Sequence, residues 1–218
     1  GYQTLLSPGF PEAWHPDKVK LQPGINPATK AADIAEGQKM LAAAGYPMGK
    51  GIEFELRPAA ATGNSYENSV RFQSQMTKAL PEMKINLKPF APGELAVPQA
   101  EGRFQMIAYT ITCVPDAVLE MVSQYRTGGS RNYGRFSDPG YDTLVDKAIL
   151  ELNVDRRKEL LDEAQKRWYS EWMAQYVLYA QPNKVMMQSN VANFDETWGF
   201  WFVYGTQTKI HRWWYVDK

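Results

Sequence analysis

Residues 104–121, FQMIAYTITCVPDAVLEM, carry an apolar run out of a buried strand, across a short polar turn and into a helix. The run predicts a strand over 104–112, buried on both faces, followed by a helix over 117–125 that Asp116 caps or favours through its charge at the positive helix start. In an open α/β sheet, ligands sit in the crevice beyond the carboxyl ends of the strands. That rule makes Tyr109, Thr110, Ile111, Thr112, Cys113 and Asp116 a candidate ligand edge. The polar loop that follows, 128–134 with Arg135 beyond it, adds Arg131, Asn132, Tyr133 and Arg135 as groups able to reach a ligand from a mobile segment.

The flanking chain supports an α/β architecture. Ile52, Phe54 and Leu56 alternate with Glu53, Glu55 and Arg57, the period of a half-buried strand. Residues 83–90 alternate again through Ile85 and Leu87. Between them 66–80 reads as a helix capped by Asn64 or Ser65, with Val70, Phe72, Met76, Ala79 and Leu80 on its apolar face. A short helix over 31–44 stops at Gly45. Residues 92–102 hold at most a short helix interrupted by proline. Helix, strand, helix, strand in sequence argues for a parallel or mixed sheet with crossovers.

Downstream, Ser137 or Asp138 before Pro139 opens a helix over 141–152 that turns Leu144, Val145, Ala148 and Ile149 to one side. A longer helix runs from Asp155 to about Met173, where Trp168 and Trp172 at i and i+4 read as core. Residues 176–180 and 184–188 read as two strands. The opening 30 residues, rich in proline, read as a long ordered loop pinned by Leu5, Leu6, Phe10 and Trp14.

Composition narrows the function classes. Lys plus Arg and Asp plus Glu are balanced at 24 each, so nothing in the net charge favours nucleic acid as a partner. The single Cys113 excludes an internal disulfide framework. As a nucleophile it would need a base, and the two histidines, His15 and His211, lie in segments remote from it in sequence. No pattern of His, Cys or clustered carboxylates at ligand spacing suggests a metal, and no glycine-rich phosphate loop suggests a nucleotide cofactor. A binder rather than an enzyme, with no cofactor, is the expectation. Seven Trp and twelve Tyr exceed what such a core needs, and the aromatic segment 193–218, with Trp198, Trp201, Trp213 and Trp214, predicts a surface packed against something else.

Three stretches together resemble one family. Residues 33–49, DIAEGQKMLAAAGYPMG, are similar to the A-x-x-L-L-x-x-A-G-Y-P-x-G segment of family 5 extracytoplasmic solute-binding proteins, the dipeptide and oligopeptide receptors of ABC importers. Residues 132–148, NYGRFSDPGYDTLVDKA, resemble their N-Y-x-x-Y-S-N-P-x-F-D-x-L-L-x-x-A segment, and the ending RWWYVDK resembles a W-L-D-K finish. The resemblance implies a two-lobed type II periplasmic-binding-protein-like fold, each lobe a mixed sheet flanked by helices, closing on a ligand at a hinge. Complete members are longer, so the chain is expected to be the C-terminal part. Residues 1–24 would then be the crossing segment from an N-terminal lobe, 25–191 the C-terminal ligand-binding lobe, and 192–218 a return segment packing on that other lobe.

The same resemblance implies an ABC permease as partner. It also implies a periplasmic or extracytoplasmic location, reached by export or held by a membrane anchor near the N-terminus of the longer protein. Peptide-binding members carry an Asp four residues before the proline of the turn, which pairs with the ligand's amino terminus. Here that count from Pro115 reaches Ile111, and no acid occurs from Phe104 to Val114. The sequence-based expectation is therefore a neutral or anionic ligand, for instance an oligosaccharide or sugar conjugate. The alternatives are a dipeptide or oligopeptide receptor of the same fold, and an aromatic-rich protein interaction module.

Overall fold

The structure, a computed structural model, describes residues 5–7, 9–114, 116–172, 188–192 and 214–216. Its centre is a sheet of three parallel strands in the order β2-β1-β3: β1 Glu53–Pro58, β2 Lys84–Leu87 and β3 Met106–Ala108. Phe54 stands opposite Ile85 and Leu56 opposite both Leu87 and Met106. The alternation read from 52–57 and 83–90 thus lines up apolar side chains across the sheet. Helix α3, Asn64–Ala79, connects β1 to β2, and α4, Ala96–Glu101, carries the chain past β1 to the opposite edge. Leu56, Leu80, Met83 and Ile85 are buried between the sheet and α3, with Phe72 and Met76 packed against them.

The helix before the sheet, α2 Lys30–Ala43, ends in a glycine-terminated cap. Gly45 takes φ +94°, its N–H reaches Ala42 O at 3.1 Å, and the Tyr46 N–H reaches Leu41 O at 2.8 Å. These two bonds satisfy carbonyls that a helix end otherwise leaves open.

A second and larger core forms beside the sheet. Helices α5 Ala117–Tyr125, α6 Pro139–Leu150 and α7 Val154–Arg167 bury Met121, Tyr125, Tyr141, Val145, Leu161 and Ala164 together with Leu5, Leu6 and Phe10 from the opening segment. Trp168 sits at the middle, with the rings of Tyr125 and Phe136 at 4.5 and 4.6 Å between centroids. The loop expected to be pinned by Leu5, Leu6, Phe10 and Trp14 is pinned by all four. Within it lies a short helix, α1 Pro16–Val19, whose Lys18 pairs with Asp162 of α7.

Several expectations are corrected. The strand from Phe104 is three residues long and only half-buried, because β1 ends at Pro58 and the last ladder bond runs from Ala59 N to Ala108 O; past it β3 has no described strand to pair with. Gly63 at φ +76°, not Asn64 or Ser65, precedes the first turn of α3, and Val70 on that helix is exposed. Ile149 is exposed on α6, which stops at Leu150. Helix α7 begins at Val154 under the Asn153 side chain, and at Trp168–Trp172 it loosens into a π-helical turn.

The strands expected at 176–180 and 184–187 lie outside the described residues, while Gln188 is described and belongs to no strand. A short antiparallel pair, β4 Val191–Ala192 with β5 Trp214–Tyr215, is described near the end.

One tie between α6 and α7 is ionic. Asp138, 3% exposed, accepts from Arg167 Nε at 2.5 Å and Nη2 at 3.0 Å while capping α6 through the Gly140 N–H at 2.8 Å. Removing Asp138 takes the cap from α6 and leaves the Arg167 guanidinium, one-third exposed, without its carboxylate. Asp138→Ala is therefore expected to cost roughly 2–4 kcal/mol from cap and pair together. Asp146→Ala, which breaks the half-exposed pair with Arg126, should cost at most about 1 kcal/mol. Urea melts of the two variants check this, and equal losses would contradict it.

Candidate functional site

Where β3 ends, the backbone leaves regular structure at Tyr109 and regains it at α5, Ala117–Tyr125. This crossing holds the candidate ligand edge. Thr110 and Thr112 are exposed, and Tyr109, Ile111, Cys113 and Val114 are half-buried. Asp116 does what its position suggested: its Oδ1 accepts from Leu119 N at 2.9 Å and caps α5.

The residue that organises the crossing is one that sequence reading passed over. Glu120, on the first turn of α5, is 1% exposed. Its Oε2 accepts from the Val114 N–H at 2.8 Å, and its Oε1 accepts from the Gln124 side-chain amide one turn on. Arg131 Nη1 lies 3.9 Å from Oε2 and donates at 2.7 Å to Thr112 O. A buried carboxyl is costly unless donors surround it. Here the donors come from the crossing and the helix, and the following loop adds the Arg131 charge at 3.9 Å, so one group links all three. The signal was present in the sequence: Glu120 and Gln124 are one helical turn apart, on the arc shared by Met121 and Tyr125.

The loop expected to be mobile is tied down. Gly129 N–H bonds Arg126 O at 2.8 Å, Arg131 N–H bonds Ser123 O at 2.8 Å, and these close the C-terminal end of α5. A Cβ on Gly129 would stand 2.4 Å from Val122 O, so this close approach requires glycine. Asn132 is fully engaged inside the loop, donating to Arg126 O and Phe136 O and accepting from Phe136 N. Arg135, at φ +54°, donates to Glu101 O at the end of α4. Asn132 and Arg135 thus hold the backbone.

Tyr133 is placed differently. Its ring meets that of Tyr109 edge to face at 5.9 Å, which sets two aromatic side chains beside the Thr110–Thr112 edge. Of the ten candidates, the structure gathers Tyr109, Thr110, Ile111, Thr112, Cys113, Arg131 and Tyr133 around one crossing. It gives internal bonds to the side chains of Asp116, Asn132 and Arg135, and to the Nη1 of Arg131.

The electrostatics describe a surface rather than a reactive centre. Burial, reinforced by Glu120, pushes the Cys113 thiol up to about 11, so it keeps its proton at neutral pH and is no nucleophile there. Burial and the neighbouring Tyr133 push the Tyr109 phenol up to about 12. The arrangement offers hydroxyls, phenols, a guanidinium and two aromatic faces, the means of gripping a polar organic ligand.

No family model and no curated protein matches the chain. Solved structures do. The Burkholderia pseudomallei OppA structure matches with a TM-score of 0.68 at 16% identity, over 99% of this chain and 41% of that one. The Escherichia coli murein tripeptide binding protein MppA matches with a TM-score of 0.60 at 20% identity, over 75% and 30%. Haemophilus influenzae OppA in complex with RPPGFSPFR matches with a TM-score of 0.60 at 15% identity, over 68% and 29%. The likeness shows the fold: a type II periplasmic-binding-protein-like α/β arrangement, its parallel sheet flanked by helices. The chain spans about a third of the length of these structures.

Cys113 gives the crossing a pH signature. Between the thiol's ordinary value of 9.0 and about 11, the unfolded chain has released a proton that the folded chain keeps. Stability therefore falls as pH rises through that window and levels off above it. Cys113→Ala should flatten this fall when melting temperature is followed from pH 9 to 11, and an unchanged slope would show that the thiol is not held as described.

Proposed function

We propose that this chain is the C-terminal ligand-binding lobe of a substrate-binding protein that serves an ABC importer, and that its ligand is a short peptide. The observation that carries this reading is the crossing after β3. In a fold shared with proteins solved as oligopeptide-binding and murein tripeptide-binding receptors, it leaves Thr110, Thr112, Tyr109 and Tyr133 at the carboxyl edge of the sheet with hydroxyls not engaged by any described residue. An extended peptide held through its backbone suits such a row of hydroxyls and aromatic faces.

The sequence alone favoured an oligosaccharide or sugar conjugate, on the ground that no acid precedes Pro115. The structural neighbours favour the peptide alternative instead. Residues 1–24 would bring the chain in from the other lobe, 25–191 would form this lobe and 192–218 would return across the hinge. Ligand would be captured by closure of the two lobes and delivered to a membrane permease. The setting would be periplasmic or extracytoplasmic, in line with the names of two neighbours, the periplasmic murein tripeptide binding protein MppA and a periplasmic oligopeptide-binding protein from Borrelia burgdorferi.

Native mass spectrometry of the gently purified full-length protein, compared with its denatured mass, tests this reading. Surplus masses that match short peptides are expected. A surplus spaced by hexose units would overturn the peptide assignment in favour of the sugar reading.

A further inference from the structure

Resting on the peptide reading, the arrangement around Glu120 says which end of the peptide this lobe takes. We infer that Arg131 is the lobe's anchor for the free C-terminal carboxylate of the ligand, and that Glu120 with the Thr112 carbonyl holds its guanidinium in place.

Four observations carry this. The guanidinium has five N–H donors in a planar fork. Among the described residues only one nitrogen of that fork, Nη1, makes a hydrogen bond, to Thr112 O at 2.7 Å. The Nε and Nη2 groups, which a carboxylate can bridge in parallel, donate to no described residue. The side chain is 29% exposed, so the group stands at the surface of the crossing rather than inside it.

Its orientation is fixed from behind. Glu120 lies 3.9 Å from Nη1 and is itself buried, and the Arg131 N–H is bonded to Ser123 O at 2.8 Å, so both ends of the residue are located by α5. The same crossing carries groups that can add hydrogen bonds to a carboxylate: the Tyr109 phenol, near enough to feel the Arg131 charge and kept protonated by burial and Tyr133, and the exposed Thr110 and Thr112 hydroxyls.

The opposite polarity fits poorly. A ligand ammonium at this edge would face the guanidinium. The acid nearest to it, Glu120, is 1% exposed and already accepts from Val114 and Gln124. Asp116 is exposed, yet its Oδ1 is engaged at the N-terminus of α5, where the helix favours negative charge and resists a cation.

The test uses the full-length protein and short alanine peptides, di- to pentapeptides, offered together as free acids, as C-terminal amides and as N-acetylated acids. Binding is read by native mass spectrometry and confirmed by calorimetry. The free acids should bind roughly 10- to 100-fold more tightly than the amides, the range for a charge-assisted hydrogen-bonded contact. N-acetylation should change little.

Arg131→Gln should bring acid and amide to equal affinity. Arg131→Lys, which keeps the charge but not the fork, should retain a reduced preference, and it carries the test if the Gln variant fails to fold. An acid preference that survives in these variants, or binding that is lost on N-acetylation and indifferent to amidation, would overturn the inference and leave the peptide reading standing. Failure of the wild-type protein to bind any of the peptides would count against the peptide reading itself, and the inference would fall with it.

Discussion

The carboxyl group of Glu120 is the constraint on which the site depends. A side chain at 1% exposure must find donors inside the protein, and it finds them on the Val114 amide before α5 and on Gln124 within it, with Arg131 close behind α5. The strand-to-helix crossing is thereby fastened although it belongs to no regular element. Val114 cannot drift without leaving a buried acceptor open, and that would cost about 1–3 kcal/mol. Rigid placement of an irregular segment is what a binding edge needs, since each loosened group must be ordered again when ligand arrives.

The rest of the fold supplies the frame. One apolar cluster holds α3 on the sheet from which β3 leads into the crossing. The other, around Trp168, holds α5, α6 and α7 and therefore sets where Glu120 sits. The Asp138–Arg167 pair locks α6 to the end of α7 and positions the 128–136 loop from its far side. Residues 5–19 belong to this second frame. Tyr125 donates to Leu5 O at 3.3 Å, Gln165 to Glu12 O at 3.1 Å, and Trp14 stacks on Tyr169 at 5.0 Å.

Much of this was legible in the sequence because local rules decide it. Alternation located β1 and β2, glycine stopped α2, Asp116 and Asp138 marked two helix starts, and the place of the candidate edge followed from a strand running into a helix. What escaped depended on partners distant in the chain. The apolar run from Phe104 could not reveal that β1 leaves the ladder at Pro58, so the third strand read too long. Asn132 and Arg135 have the chemistry of ligand-binding residues, but only the folded loop shows them bonded to Phe136 and Glu101. Glu120 shows its helical arc in the sequence but not its burial, because its partner Val114 and its neighbour Arg131 lie outside its helix.

The central claim is that ligand meets this lobe at the Tyr109–Cys113 crossing and the Arg131–Tyr133 turn. Amide hydrogen exchange on the full-length protein, with and without saturating peptide, tests it most directly. The account predicts that, within this lobe, the added protection falls on 109–114 and 128–134 and leaves α2 unchanged. Protection confined to α2 or to the α6–α7 connection, with the crossing unaffected, would contradict it.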